Sequence, residues 1–154
     1  MGRKSIRENK NIYQLSREAA ELTREAASEI MEYISADRIE KIESEKSLPH
    51  PDEILELAEC YHAPELCNHY CSQECPIGRK FVAPVQQKDL ANIVLELLSS
   101  FNTIDRQRNR LIDIASDGEI SADEQPDFDF IREQLEKIAS SVDSLRLWMQ
   151  KQED

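Results

Sequence analysis

Glycine is scarce, with three residues in 154. An all-β fold built on many tight turns needs more, so that class is excluded. Aromatic residues are few, and no apolar run approaches the roughly 20 residues that a membrane-spanning helix needs. There is no glycine-rich phosphate loop and no G-x-S-x-G, so nothing marks an enzyme. The start, Met1-Gly2-Arg3-Lys4-Ser5-Ile6, has no apolar stretch behind its bases, and Ile6 stands where a myristoylation motif has Ser or Thr. A cytoplasmic protein without leader, lipid anchor or membrane partner is therefore expected. Bases are short as well: 19 against 31 acids, for a net charge of −12. What is abundant is Ala, Leu, Ile, Glu, Lys and Arg, the composition of helices, so the expected fold class is all-α.

The chain divides by character. Residues 1–10 form a basic arm, with Arg3, Lys4, Arg7 and Lys10 against Glu8. Residues 11–62 hold short amphipathic segments, and residues 63–85 are a joint rich in cysteine and proline. Prolines at that density interrupt long helices, which predicts loops there. Residues 86–151 carry two long apolar repeats. Leu90, Val94, Leu97, Phe101, Ile104, Arg108, Leu111 and Ala115 advance in steps of four and three. Ile93, Leu98 and Ile112 widen that stripe, and Phe128, Ile131, Leu135, Ile138, Val142, Leu145 and Met149 repeat the steps. Heptad seams on two helices joined through Gly118, with Ser121 or Asp123 as the next cap, predict a long antiparallel helical hairpin. Two helices bury one seam and leave apolar stripes wet, so a homodimer through the hairpin is expected.

In the N-terminal part, Ile12, Leu15 and Ala19 share a face of a first helix. Thr23 caps a second, Ser35 a third, and Asp52 opens a fourth. The middle pair, short helices with a tight joint, has the dimensions of a helix-turn-helix. Leu22-Thr23-Arg24-Glu25 resembles the "L-T-Q-E" opening of helix two in phage-repressor-like (XRE/Cro-type) DNA-binding domains. Ile39-Glu40-Lys41-Ile42-Glu43 resembles the "I-S-x-I-E" of that family's recognition helix, and Pro49 with Leu55, Leu57, Ala58 and Tyr61 resembles its fourth helix. The chain departs from the family in three places. No glycine lies in Met31-Glu32-Tyr33-Ile34, Glu45 replaces the glycine after "I-E-x", and Arg24 replaces the glutamine of helix two.

The resemblance implies a lambda-repressor-like domain and a sequence-specific transcriptional regulator whose partner is duplex DNA. By it, Arg24 meets a phosphate or base edge, and Ala36, Asp37, Arg38 and Lys41 face the major groove. Arg38 is placed to fork onto guanine. Lys46 and the Arg3, Lys4 and Arg7 arm hold phosphates. The competing expectation is that Arg38, Lys41 and Lys46 simply pair with Glu40, Glu43 and Glu45. The acidity of the chain favours that alternative, a non-catalytic protein-interaction module with a degenerate helix-turn-helix.

Cys60, Cys67, Cys71 and Cys75 fall within sixteen residues. On a helix, spacings of four stack Cys67, Cys71 and Cys75 on one face. Four thiolates suit zinc or an iron–sulfur cluster, with His62 and His69 as substitute ligands. A disulfide and plain packing are the other readings, and the C-x2-C clip of common zinc sites is absent. A Cys67–His62 nucleophile pair has nothing to orient it. Asp113, Asp117, Gly118, Ile120 and Glu124 fit positions of an EF-hand loop, but Ala115 stands at a ligand position, so an acidic hairpin turn is expected instead.

Overall fold

The computed structural model describes residues 9–153. Every regular element among them is helical, so the chain is all-α. The backbone forms two compact units, one ending at Pro84 and one running from Val85 to Gln152.

The first unit opens with α1 (Ile12–Ala19), α2 (Arg24–Met31), α3 (Ala36–Glu43) and α4 (Pro51–Cys60). Each start has a local cause. Asn11, Thr23 and Ser35 accept hydrogen bonds from the amides of Gln14, Ala26 and Arg38, satisfying donors that a helix leaves open. The fourth helix starts earlier than Asp52: His50 is the cap, Pro51 takes the first helical position, and Glu53 accepts from the His50 amide at 2.7 Å. The ends of α1, α3 and α4 share one device. Leu22, Lys46 and Ala63 donate back to the carbonyls of Arg17, Lys41 and Ala58. These bonds close around left-handed residues Glu21, Glu45 and His62, at φ 59°, 59° and 49°.

The core of this unit gathers Ala27, Met31, Ile34, Ile39, Ile42, Ile54, Leu57, Tyr61 and Leu66. The buried face of α1 is not Ile12, Leu15 and Ala19 but Tyr13, Gln14 and Arg17, with Leu15 and Ala19 exposed. Polar residues can line a buried face when each finds a partner, and here they do. The Arg17 guanidinium donates to Glu43, Tyr13 to Glu74, and Gln14 to Glu18.

The segment expected as a loop-rich joint is instead folded onto the same unit. It contains α5 (Glu65–His69), a π-helical turn (Tyr70–Glu74) and α6 (Gly78–Phe81). Pro64 precedes α5, Pro76 follows the π-turn and Pro84 follows α6, so the prolines delimit short helices rather than preventing them.

The second unit is a helical hairpin of α7 (Leu90–Ala115) and α8 (Gln125–Glu153), which pack together. Asp89 caps α7, Gly118 turns the chain at φ 76°, and Glu124 accepts from both the amide and hydroxyl of Ser121. Near the turn, Arg110 pairs with Asp127 at 2.7 Å. The seam runs one position away from the expected stripe. Ile93, Ser100 and Ile114 are buried, with Leu97, Ile104 and Leu111 half-buried between them. Opposite them, Ile131, Gln134, Ser141, Ser144 and Leu147 are buried. Leu90, Val94, Phe101 and Arg108 turn outward on α7, as do Leu135 and Met149 on α8. Two adjacent heptad stripes share Leu97, Ile104 and Leu111, and the buried one is the more polar, with Ser100, Ser141 and Ser144 on it. Ser144 satisfies its buried hydroxyl on the Ser140 carbonyl.

Candidate nucleic-acid interface

The joint between α2 and α3 is built by strain. Glu32 adopts φ 58° and ψ −48°, and Tyr33 donates to the Met31 carbonyl at 2.6 Å, a three-residue γ-turn. Ser35 then caps α3, and Ile39, Ile42 and Glu43 point inward. Ala36 and Arg38 lie half-buried at the two edges of that inward face, with Asp37 and Lys41 exposed opposite it.

Glu43 fixes this arrangement. It is buried among three helices, accepting from Arg17 of α1 through two nitrogens at 2.5 and 3.1 Å and from Arg24 of α2 at 2.8 Å. Arg17 also donates to the Leu22 carbonyl just before α2. A buried carboxylate is costly unless its oxygens are satisfied, and two guanidinium groups satisfy these. Arg24 is thus tied to Glu43 rather than presented freely to a phosphate, although about a third of its side chain stays exposed.

Arg38 differs most from its expected role. Its Nε and one terminal nitrogen donate to the two Glu53 oxygens at 2.7 and 2.6 Å. Its remaining donors reach the Ser47 hydroxyl and the Leu48 carbonyl. The fork that would read guanine instead binds α3 to the loop before α4 and to the first turn of α4. The Arg38 partnership holds the Glu53 carboxyl below its ordinary value, with the His50 amide adding to the effect. The pairing of Arg38 with Glu53 does not follow from the local pattern, because the partners are fifteen residues apart.

Lys41 and Lys46 keep exposed partners. Lys41 pairs with Asp37 at 2.6 Å along the helix, and Lys46 with Glu40 at 3.0 Å. Such pairs contribute about 0–1 kcal/mol, so a phosphate can replace either carboxylate at small cost. Arg3, Lys4 and Arg7 lie outside the described residues.

The four cysteines are not gathered at one point among the described residues. Cys60 faces α2, with its sulfur 4.0 Å from the Ala27 carbonyl. Cys67 and Cys71 are neighbours, and burial first and Cys71 second push the Cys67 thiol up. Cys75 leaves the helix in extended backbone and accepts from the Gly78 amide at 3.4 Å. The expected stacking fails because it assumes an uninterrupted helix through residue 75. All four are free thiols, and no group of three or more Cys, His, Asp or Glu side chains among the described residues is placed to hold a metal ion. A feature that the sequence did not suggest sits beside them. Tyr13 donates to Glu74 at 2.8 Å, His69 stacks edge-on against Tyr13, and its Nε2 lies 3.5 Å from the same Glu74 oxygen. This clasp fastens the π-turn to α1. Burial and Glu74 together raise the Tyr13 phenol, keeping it a proton donor.

No protein-family model, curated protein or solved structure matches this chain.

Proposed function

We propose that the first unit is a DNA-binding domain of a transcriptional regulator and that α3 enters the major groove. The observation that carries this reading is backbone geometry. At two places where the resembled family carries glycine, the turn after α2 and the corner after α3, this chain has Glu32 and Glu45 at φ 58° and 59°. Glutamate is a poor residue for that conformation, so the path of the chain, rather than residue preference, sets it. On this reading Ala36, Asp37 and Lys41 face base edges, Lys46 and the free part of Arg24 meet phosphates, and Arg38 positions α3 through Glu53. Hairpin pairing then supplies a homodimer, whose twofold axis suits a palindromic site.

The test is selection of random duplexes on the full chain at low salt. Enrichment of a defined site is expected, and Lys46→Ala should weaken binding to all duplexes while lowering the salt slope by about one counterion. Failure to bind any duplex beyond nonspecific levels overturns the reading. A second reading, an interaction module, is favoured by one observation: Arg24, Arg38, Lys41 and Lys46 each have a carboxylate partner within the chain.

A further inference from the structure

Eight Lys and Arg residues lie between residues 9 and 84. Six of them, Lys10, Arg17, Arg24, Arg38, Lys41 and Lys46, are paired with carboxylates. The two others, Arg79 and Lys80, have no carboxylate partner among the described residues, and they are adjacent. The chain from Cys75 to Lys88 contains no acid at all, in a protein with net charge −12. Large apolar side chains flank these two cations. Ile77 is 72% exposed and Phe81 75% exposed, with Val82 beside them. Lys80 lies over the Phe81 ring, 5.6 Å from its centre.

This segment is anchored by its backbone. Gly78 is buried against the Cys71 carbonyl, and its amide donates to the Cys75 sulfur. Val82 donates to the Gly78 carbonyl, and the Asn68 side chain holds the Ala83 carbonyl at 3.0 Å. The main chain is therefore fixed while Ile77, Arg79, Lys80, Phe81 and Val82 all face outward. A rigid backbone that presents three exposed apolar groups and two uncompensated cations is built to be covered.

We propose that Ile77–Val82 is a docking surface for an acidic peptide segment of a partner protein, one that interleaves carboxylates with large apolar residues. Charge complementarity sets the sign: Arg79 forks onto a carboxylate, and Lys80 supplies a second cation. The apolar groups decide the class. A phosphate backbone offers Ile77 and Phe81 nothing to bury against, whereas leucine or aromatic anchors do. Two cations are too few to hold a chain of net charge −12 at an anionic membrane. Screening confines the repulsion from the other acids to about 8 Å, so the local patch governs a short contact.

The experiment is display of random dodecapeptides on the full chain, counter-selected on an R79E/K80E variant. Expected is enrichment of sequences that interleave Asp or Glu with Leu, Phe or Trp. The enriched peptide, followed by fluorescence anisotropy, should bind about tenfold or more weakly to R79E/K80E and to F81S, and unchanged to L15S, whose apolar side chain is exposed elsewhere on the same unit. Matching circular dichroism of the variants shows that the fold is intact. Enrichment of neutral or basic peptides, or none above the counter-selection, overturns the proposal. So does capture by the same three side chains of phosphatidylserine vesicles or a random duplex in place of peptide, or loss in F81S of a dimer seen by light scattering. The display uses no DNA, so its outcome is separate from that of the duplex selection.

Discussion

Gly78 lies so close to the carbonyl of Cys71 that a methyl group on its Cα would stand 2.0 Å from the oxygen. The neighbouring atom is backbone inside a π-turn, so no side-chain rotation relieves the contact. Gly78→Ala is therefore expected to lift α6 off the π-turn and to destabilise the first unit by about 1–3 kcal/mol, the range of overpacking. Thermal unfolding measures the loss, and hydrogen exchange should localise it to residues 68–84. An Ala variant as stable as the parent would mean that the close approach is absent in solution.

Arg38 and Glu53 give a prediction that separates folding from recognition. Arg38→Ala removes a bidentate pair and two further hydrogen bonds, at an expected cost of about 2 kcal/mol. Lys41→Ala removes only an exposed helical pair and should cost about 0.5 kcal/mol or less. If Arg38 were a base-reading residue held in reserve, the order would reverse, with Arg38→Ala neutral for stability in urea melts.

The same pair sets part of the acid response. Glu53 has a folded value below its ordinary 4.5, because the charged form is stabilised by Arg38. A depressed carboxyl contributes stability that is fully present above the unfolded value and is lost as pH falls through the folded one. The melting temperature should thus fall on acidification below about 4.5, and Arg38→Ala should flatten that part of the curve. An identical acid slope in both proteins would locate the response elsewhere.

Much of the fold was legible because its signals are local. Thr23 and Ser35 each announce a helix start from one side chain, and Gly118 marks the hairpin turn. The α1 face was not legible, because Tyr13 and Arg17 read as polar until the remote Glu74 and Glu43 are brought to them. The hairpin seam was half legible: two heptad stripes overlap, and only packing chooses the one through Ser100 and Ser141. At the candidate interface the basic residues could be named, but not their partners. Arg17 and Glu43 are twenty-six residues apart, and no spacing rule connects them. The π-turn was invisible for a similar reason, since Tyr70–Glu74 differs from an α-helical turn by one residue in its hydrogen bonding.

Glu32 holds a conformation that suits glycine. A γ-turn of positive φ costs a side-chain-bearing residue about 1–3 kcal/mol, whereas glycine adds about 1 kcal/mol of unfolded-state entropy. Glu32→Gly is expected to raise stability by about 1 kcal/mol, and Glu32→Ala to leave it near the parent. Paired denaturant melts of the two variants decide this. A glycine variant less stable than the alanine one would show that the turn does not penalise a residue bearing a Cβ.

Val94, Leu98, Phe101 and Ile112 are exposed on α7, and Leu135 and Met149 on α8. They lie beside the seam, so the same two helices cannot bury them without giving up Ile93, Ile114 and Ile131. At about 25 cal/mol per Å² of apolar surface, covering several such side chains yields several kcal/mol. A twofold pairing of hairpins into a four-helix bundle covers both stripes at once. Full-length protein should therefore be a dimer by light scattering over a range of concentrations. Phe101→Asp, on the outward stripe, should make it monomeric with its helix content unchanged, because Phe101 contributes little to the intrachain seam. Ser100→Asp, one residue away on the seam, should instead destabilise the hairpin itself by placing a charge between α7 and α8. A parent protein that stays monomeric at high concentration, or a Phe101→Asp variant that stays dimeric, would place the association surface elsewhere.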